Sequence, residues 1–546
     1  MHDSPSGCPW RSALVLSRVR ETVLAAGLVY KEHVMYRVPS DCYDHAVVDQ
    51  QECFIPVTRK STFLMMHAAR CGVVVNVMRS AKEPTVPYRS VNPATGEVLK
   101  TFTEHTDQDM MNALATADKA FVSWASRPID ERAKIISRAA KLLLERKSEL
   151  AKLATLEMGK RIVESRGEVD LSAAILQYFA DHAAEFLAPK PIESMMGDAH
   201  LEFSPFGVLL SIQPWNYPYY QLSRFVGPHL TSGNVMLLKH APGVPQCAIA
   251  FEQVLKDAGV PVGVYTNLFL SNDQAGSLID DPRVKGIALT GSERAGEALA
   301  SRAGKNLKKS TMELGGSDAF IVLDDADLDH TVSMAILGRF GNNGQTCIGA
   351  KRFIVVESIL DKFLPKFLSA AKELKLGDPL DESVTLGPLS SEDALQRILA
   401  QINDATNHGA KVLLGGHRAG TVGAFLEPTF LTDIKPHNPA YRQEFFGPVA
   451  LIFPAKDEAE AIAIANDSPF GLGGSVYSTD IERAKRVASR VETGMVFINY
   501  PDLSWPDLPF GGIKRSGYGK ELSNLGLEEF VNKKLVLVPN ILAAGH

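Results

Sequence analysis

Hydrophobic and polar positions change their rhythm several times along the chain. From about residue 106 the rhythm is helical: Ile129, Ala133, Ile136, Ala140 and Leu143 recur at spacings of three and four, with Arg, Lys and Glu between them. Pro128 stands where a first helical residue tolerates proline, and Asp130 and Glu131 suit the positive end of the helix dipole. After residue 205, short apolar runs alternate with helical stretches. Runs at 207–212, 235–238, 266–270 and 286–289 predict buried strands, joined by helices such as 246–258. A second series follows, with strands predicted at 353–356, 412–414, 450–453 and 495–498 and a helix over 458–465. Such alternation predicts an α/β fold of parallel sheets flanked by helices. Two series predict two sheet domains, and the cleft between them is the natural ligand site.

Residues 1–77 keep neither period, with brief apolar bursts at 63–66 and 73–75 among scattered charge. Met78 opens a polar segment that runs into Asn92-Pro93-Ala94-Thr95-Gly96-Glu97, a turn signal between extended stretches. Two readings of 1–77 stand: an extension upstream of the natural start, with Met78 as initiator, or a loosely packed N-terminal arm.

Composition narrows the class. At 546 residues, 45% hydrophobic and 22% charged, the chain is a globular protein long enough for two or three domains. A net charge of -6 provides no basic field for nucleic acid. No apolar run approaches the roughly 20 residues that span a bilayer, and the first 30 residues lack the pattern of a secretory signal. The expectation is a cytoplasmic enzyme. Four of the six cysteines, Cys8, Cys42, Cys53 and Cys71, lie in the first 77 residues, leaving Cys247 and Cys347 in the body. That distribution fits neither a disulfide framework nor a metal site.

Cys347 ends Gly341-Asn342-Asn343-Gly344-Gln345-Thr346-Cys347, a glycine- and amide-rich stretch before a predicted strand. There a thiol is reachable by a small molecule and close to backbone N–H groups, although most lone cysteines are small core hydrophobes. Glu313, in Met312-Glu313-Leu314-Gly315-Gly316, is wedged among apolar residues and glycines. Burial would raise its pKa toward that of a general base, while a surface carboxylate at a strand end is equally compatible with the pattern. Pro214-Trp215-Asn216-Tyr217-Pro218 follows a strand, and its two prolines can hold the Asn216 amide rigid as a donor or merely turn a packing corner. Lys239 sits at the end of another strand, where ligands of parallel sheets gather. No Gly-x-Gly-x-x-Gly follows a strand, but Thr290-Gly291-Ser292-Glu293 precedes an Ala-rich helix whose N-terminus can bind a pyrophosphate.

Taken in order, these segments resemble the aldehyde dehydrogenase superfamily. The series continues with Glu444-Phe445-Phe446-Gly447-Pro448-Val449 and Pro509-Phe510-Gly511-Gly512-Ile513-Lys514-Arg515-Ser516-Gly517, so the resemblance covers roughly 85–540 and leaves 1–77 unmatched. The segments 238–242, 313–318 and 347–352 are similar to the bacterial succinate-semialdehyde dehydrogenase branch. The resemblance implies two parallel-sheet αβ domains plus a small β oligomerisation element. A dinucleotide-binding domain is expected over 78–186 and 206–312, a catalytic domain over 313–520, and a bridging element over 187–205 and 530–546. The strand-like run 535–539 would pair subunits into a homodimer or homotetramer.

It also implies a mechanism. Cys347 attacks an aldehyde, Asn216 and the Cys347 backbone N–H hold the oxyanion, hydride passes to NAD or NADP, and Glu313 activates water to release a carboxylic acid. Trp215, Lys239, Gly291, Ser292, Leu314, Glu444 and Phe446 would bind the cofactor. Glu521 matches a position that some relatives use in a proton relay. Many NAD-selective relatives carry a glutamate three residues after the strand-end lysine; here that residue is Pro242, so NADP is expected to be accepted. Arg224 matches an arginine that binds the distal carboxylate of succinate semialdehyde, whereas the position of a second such arginine is Gly341. Asp507, near the expected entrance, would repel a carboxylate if it pointed inward. Succinate semialdehyde is therefore the favoured substrate and another small aldehyde the alternative. Glu313 argues against coenzyme A acylation, and the joint presence of Asn216, Glu313 and Cys347 against a non-catalytic role.

Overall fold

The structure is a computed structural model that describes residues 88–540; the segment 1–77, Met78 as a start and the final six positions lie outside the described residues. The first apolar series forms a six-stranded sheet in the spatial order 517–518, 309–313, 284–290, 208–213, 235–240, 265–267. Its five longer-range partners Lys309–Glu313, Val284–Thr290, Val208–Gln213, Val235–His240 and Tyr265–Asn267 run parallel, and Gly517–Tyr518 closes one edge antiparallel. The chain enters at the central strand Val208–Gln213, winds outward to one side, then returns to the other. Parallel strands so wound leave a crevice beyond their carboxyl ends, where the order reverses.

The second series forms a seven-stranded sheet ordered 411–414, 429–432, 449–455, 350–356, 318–322, 474–477, 497–498. Alternate residues feed opposite faces: Ile321 and Ile354 join one apolar layer, Phe320 and Phe353 the other. The helix predicted around residue 129 spans Ile129–Glu145, burying Ile136, Ala140 and Leu143 while Ala133 is half-buried at its margin. A three-stranded antiparallel sheet joins Lys190–Ile192, Gly197–Pro205 and Val531–Pro539.

Three predicted strands differ. The run at 266–270 pairs only over Tyr265–Asn267, since Leu268, Phe269 and Leu270 are buried by packing without extending the ladder. The run at 495–498 pairs only over Phe497–Ile498. The 412–414 run forms the predicted strand, Lys411–Leu414, but as an antiparallel edge of the sheet with Val412 42% exposed. In each case apolarity signalled partial burial but not hydrogen-bonding partners. The boundary between the sheets also falls slightly later than residue 313. Glu313 ends a strand of the first sheet, and the second begins at Asp318.

Candidate active site

Four separate segments meet at the carboxyl edge of the first sheet. The strand ending at Gln213 delivers Trp215 and Asn216, and the strand ending at His240 delivers Lys239. The strand ending at Thr290 delivers Gly291 and Ser292. The fourth ends in Glu313 itself, whose carbonyl accepts the Gly291 N–H at 2.9 Å. Parallel strands release their chains on the same side, so residues far apart in sequence converge there.

The second sheet presents the opposite ends of its strands. Cys347 lies three residues before Ala350–Val356, and Glu444 five residues before Val449–Ala455. The helix Leu328–Phe340 stops at a turn over Gly341–Gly344, in which Asn342 (φ 51°) and Asn343 (φ 55°) are left-handed. Asparagine tolerates that conformation because its short amide can bond locally. Asn343 Nδ2 donates to the Gly159 and Pro388 carbonyls at 2.8 and 2.9 Å. Asn342 Nδ2 donates to the Asn216 and Gln345 carbonyls, each at 3.0 Å. The nucleophile candidate is therefore suspended from a pinned turn. Asn216 is only 3% exposed, and its Nδ2 donates to Gln345 O at 3.1 Å. A primary amide has a second N–H, and the Cys347 backbone N–H makes no hydrogen bond among the described residues. Cys347 is partly accessible, whereas Cys247 is fully buried.

Close approach explains the paired glycines after Glu313. A Cβ on Gly315 would stand 2.4 Å from Glu444 Oε2, and one on Gly316 would stand 2.7 Å from the Cys347 carbonyl. Glu444 Oε1 accepts the Gly316 N–H at 3.1 Å and lies 3.2 Å from Lys351 Nζ.

Burial governs the local charges. It pushes the Cys347 thiol up to about 12, with Arg224 and Lys351 pulling down and Glu313 and Glu444 pushing further up. Burial and the Glu521 charge hold Glu313 well above the usual carboxylate range, against Arg224 and Lys520. Both Glu313 carboxyl oxygens are buried without a protein partner. Such a carboxyl exchanges protons readily with whatever polar group is brought against it.

Arg224 sits differently from the expected open carboxylate receptor. It is 1% exposed and forms an ion pair with Glu521. Its other nitrogens donate to Tyr220 Oη at 3.1 Å, Gln221 Oε1 at 2.8 Å and Thr290 Oγ1 at 3.4 Å. Burial opposes its charge, but Glu521, Tyr220, Glu313 and Cys347 more than offset this. At Gly341 an added side chain would meet Glu164 Oε1 at 4.0 Å, an oxygen itself paired with Arg161 at 2.8 Å. Asp507 is exposed and faces solvent, removing the repulsion considered above.

The edge of the first sheet fits a dinucleotide. Lys239 is 7% exposed, yet its ammonium has no ion pair or hydrogen bond among the described residues; its nearest aromatic partner is Tyr88, 6.0 Å away. A buried cation without a protein partner suits a hydroxyl or phosphate ligand. Ser292 caps the helix Glu293–Lys305, accepting the Ala295 N–H at 3.4 Å, and Leu314 packs on Gly296 of that helix. Trp215 and Phe446 meet edge to face at 5.7 Å. Pro242 brings no acid to this region.

Sequence reasoning missed the residues that hold the site together: Asn342, Asn343, Lys351, Glu164 and the Tyr217 to Thr346 hydroxyl contact at 3.0 Å. The Asn-Asn pair between glycines carried a left-handed turn signal. Lys351, beside Arg352 near the start of an apolar strand, carried no such signal.

Comparison with known proteins agrees with this geometry. Residues 79–536 match the aldehyde dehydrogenase family, and the chain belongs to that family. It is 51% identical to a Deinococcus radiodurans protein named as an NADP(+) succinate-semialdehyde dehydrogenase, across 84% of this chain and 96% of that protein. Identity is 44% to an Escherichia coli succinate semialdehyde dehydrogenase named for NAD(P)+, across 82% and 97% of the two chains. The crystal structure of succinic semialdehyde dehydrogenase from Streptococcus pyogenes in complex with NADP+ superposes with a TM-score of 0.82 at 46% identity, covering 83% of this chain and all of that one. The protein is accordingly an oxidoreductase of aldehyde groups.

Proposed function

We propose that this enzyme oxidises succinate semialdehyde to succinate with NADP or NAD as acceptor, through a thioester on Cys347. One observation carries the reading: a partly accessible Cys347 thiol on a loop tied to the Asn216 amide, close enough to the unpartnered Glu313 carboxyl for that charge to act on it. Cys347 Sγ adds to the aldehyde carbon, and the oxygen takes up negative charge. The second Asn216 N–H and the Cys347 backbone N–H stabilise that charge. When bound, a nicotinamide dinucleotide would supply the hydride acceptor, and Lys239, Ser292, Glu444 and their neighbours would hold it. Glu313 then takes a proton from water as the water oxygen attacks the acyl carbon. The carbon–sulfur bond breaks, returning the thiolate and releasing the acid.

The succinate-semialdehyde assignment is supported by the names of the relatives. A second reading, another small aldehyde, is favoured by the Arg224 to Glu521 pairing and by the glycine at position 341, which offers no second cation. A panel of aldehydes assayed with both cofactors, without coenzyme A, decides. Succinate semialdehyde is expected to give the highest kcat/KM, and activity surviving Cys347→Ala would overturn the mechanism.

The edge strand Val531–Pro539 exposes Leu535 (59%) and Val538 (58%), which supports a homodimer or homotetramer built by strand pairing. No helix among the described residues is long and apolar enough to cross a membrane. A reducing compartment keeps a free thiol such as Cys347 from oxidation, which supports a cytoplasmic location.

A further inference from the structure

Lys351 is the second residue of the central strand Ala350–Val356 of the second sheet. Its side chain is fully buried. The ammonium donates to the carbonyls of Thr346 and Cys347, each at 2.8 Å, and to that of Gly349 at 3.3 Å. It also lies 3.2 Å from Glu444 Oε1, the carboxylate oxygen that takes the Gly316 N–H. One charge therefore grips three carbonyls of the nucleophile loop and the carboxylate of the opposing loop. The Lys351 charge also acts on the buried Asp318 carboxyl, whose pKa burial raises to about 7 and which accepts the Gly473 N–H at 3.1 Å.

We propose that Lys351 is a positioning residue for the reaction, fixing with a single cation both the main chain that carries Cys347 and the Glu444 carboxylate on the cofactor side. The physical reason is desolvation. Three converging carbonyls and a carboxylate at a buried site are costly unless one donor-rich cation satisfies them together. The same positive charge, with Arg224, opposes the burial and the Glu313 and Glu444 charges that disfavour the Cys347 thiolate. Moving the cation should therefore alter thiol reactivity and cofactor binding in parallel.

This inference rests on Cys347 being the nucleophile, and the experiment separates the two. The full chain is alkylated with iodoacetamide over pH 6.5–9.5, and NADP dissociation is followed by protein fluorescence in the same preparations. Lys351→Met removes charge and donors; Lys351→Gln keeps a donor without the charge and guards against a misfolded Met variant. In wild type, inactivation should track modification of Cys347 and vanish in Cys347→Ser; if it does not, the functional reading fails. If it does, both Lys351 variants should show the log rate against pH line displaced toward slower reaction, at least fivefold at pH 8.5. The NADP dissociation constant should rise at least fivefold. A folded Gln variant matching wild type in both measurements overturns the role of Lys351. A change in melting temperature alone, with the pH line unmoved, overturns it as well.

Discussion

Asn216→Ala tests the oxyanion site most directly, because the structure separates its catalytic from its structural cost. The side-chain amide has two N–H groups, one of them given to Gln345 O at 3.1 Å. That carbonyl also accepts Asn342 Nδ2 at 3.0 Å, so it stays satisfied when Asn216 is truncated. The structural loss is then about one hydrogen bond, roughly 1 kcal/mol. Loss of a preorganised oxyanion donor costs about 2.7–4 kcal/mol of barrier, or about a hundredfold to a thousandfold in kcat. Three measurements on one preparation distinguish them: kcat for the preferred aldehyde, the rate of Cys347 alkylation, and the melting temperature. The expected result is a fall in kcat of at least a hundredfold, with alkylation within threefold of wild type and only a small thermal shift. A kcat within tenfold of wild type would refute the oxyanion assignment. Alkylation falling in step with kcat would refute the separation, since the loop itself would have moved.

Two further predictions concern other parts of the fold. Pro242→Glu places a carboxylate three residues after Lys239, a cation on which only the Glu104 charge is seen to act in the wild-type chain among the described residues. It should lower kcat/KM for NADP at least tenfold while sparing NAD, and an equal effect on both cofactors would show that Pro242 does not face the ribose. His229 is buried with no partner for Nδ1, between the rings of Phe225 at 4.5 Å and Phe530 at 5.0 Å. Burial lowers its pKa from 6.5 to about 3, so the fold favours the neutral ring. The associated stability is intact above 6.5 and is lost as pH falls from 6.5 toward 3, amounting to about 2 kcal/mol by pH 5. Denaturation at pH 7 and pH 5 should show that loss in wild type and a smaller one in His229→Leu; identical slopes would contradict it.

Much of this site was legible before any coordinates. Cys347, Glu313, Asn216 and Glu444 each stand in short motifs whose glycines, prolines and amides are demanded by local backbone chemistry. Parallel-strand topology then dictates that the segments after Gln213, His240, Thr290 and Glu313 share one edge. Apolar periodicity likewise located the strands at 208–213, 235–240, 284–290 and 350–356 to within three residues at each end. It also found the strand at 411–414 but not its place at an exposed antiparallel edge, because an edge strand and a central one carry the same pattern with different neighbours.

What the sequence by itself determined was the inventory of reactive groups and the order in which strands present them, because both follow from local propensity and connectivity. Tertiary structure decided which groups are paired and which are free. Arg224 reads in sequence as an open cation, yet it is engaged by Glu521 from nearly 300 residues away, an interval of 297 positions (521 minus 224). Lys351 reads as an ordinary strand residue, yet it binds three loop carbonyls and Glu444 together. Charge pairing and desolvation depend on distances across the fold, and no periodicity along the chain encodes them.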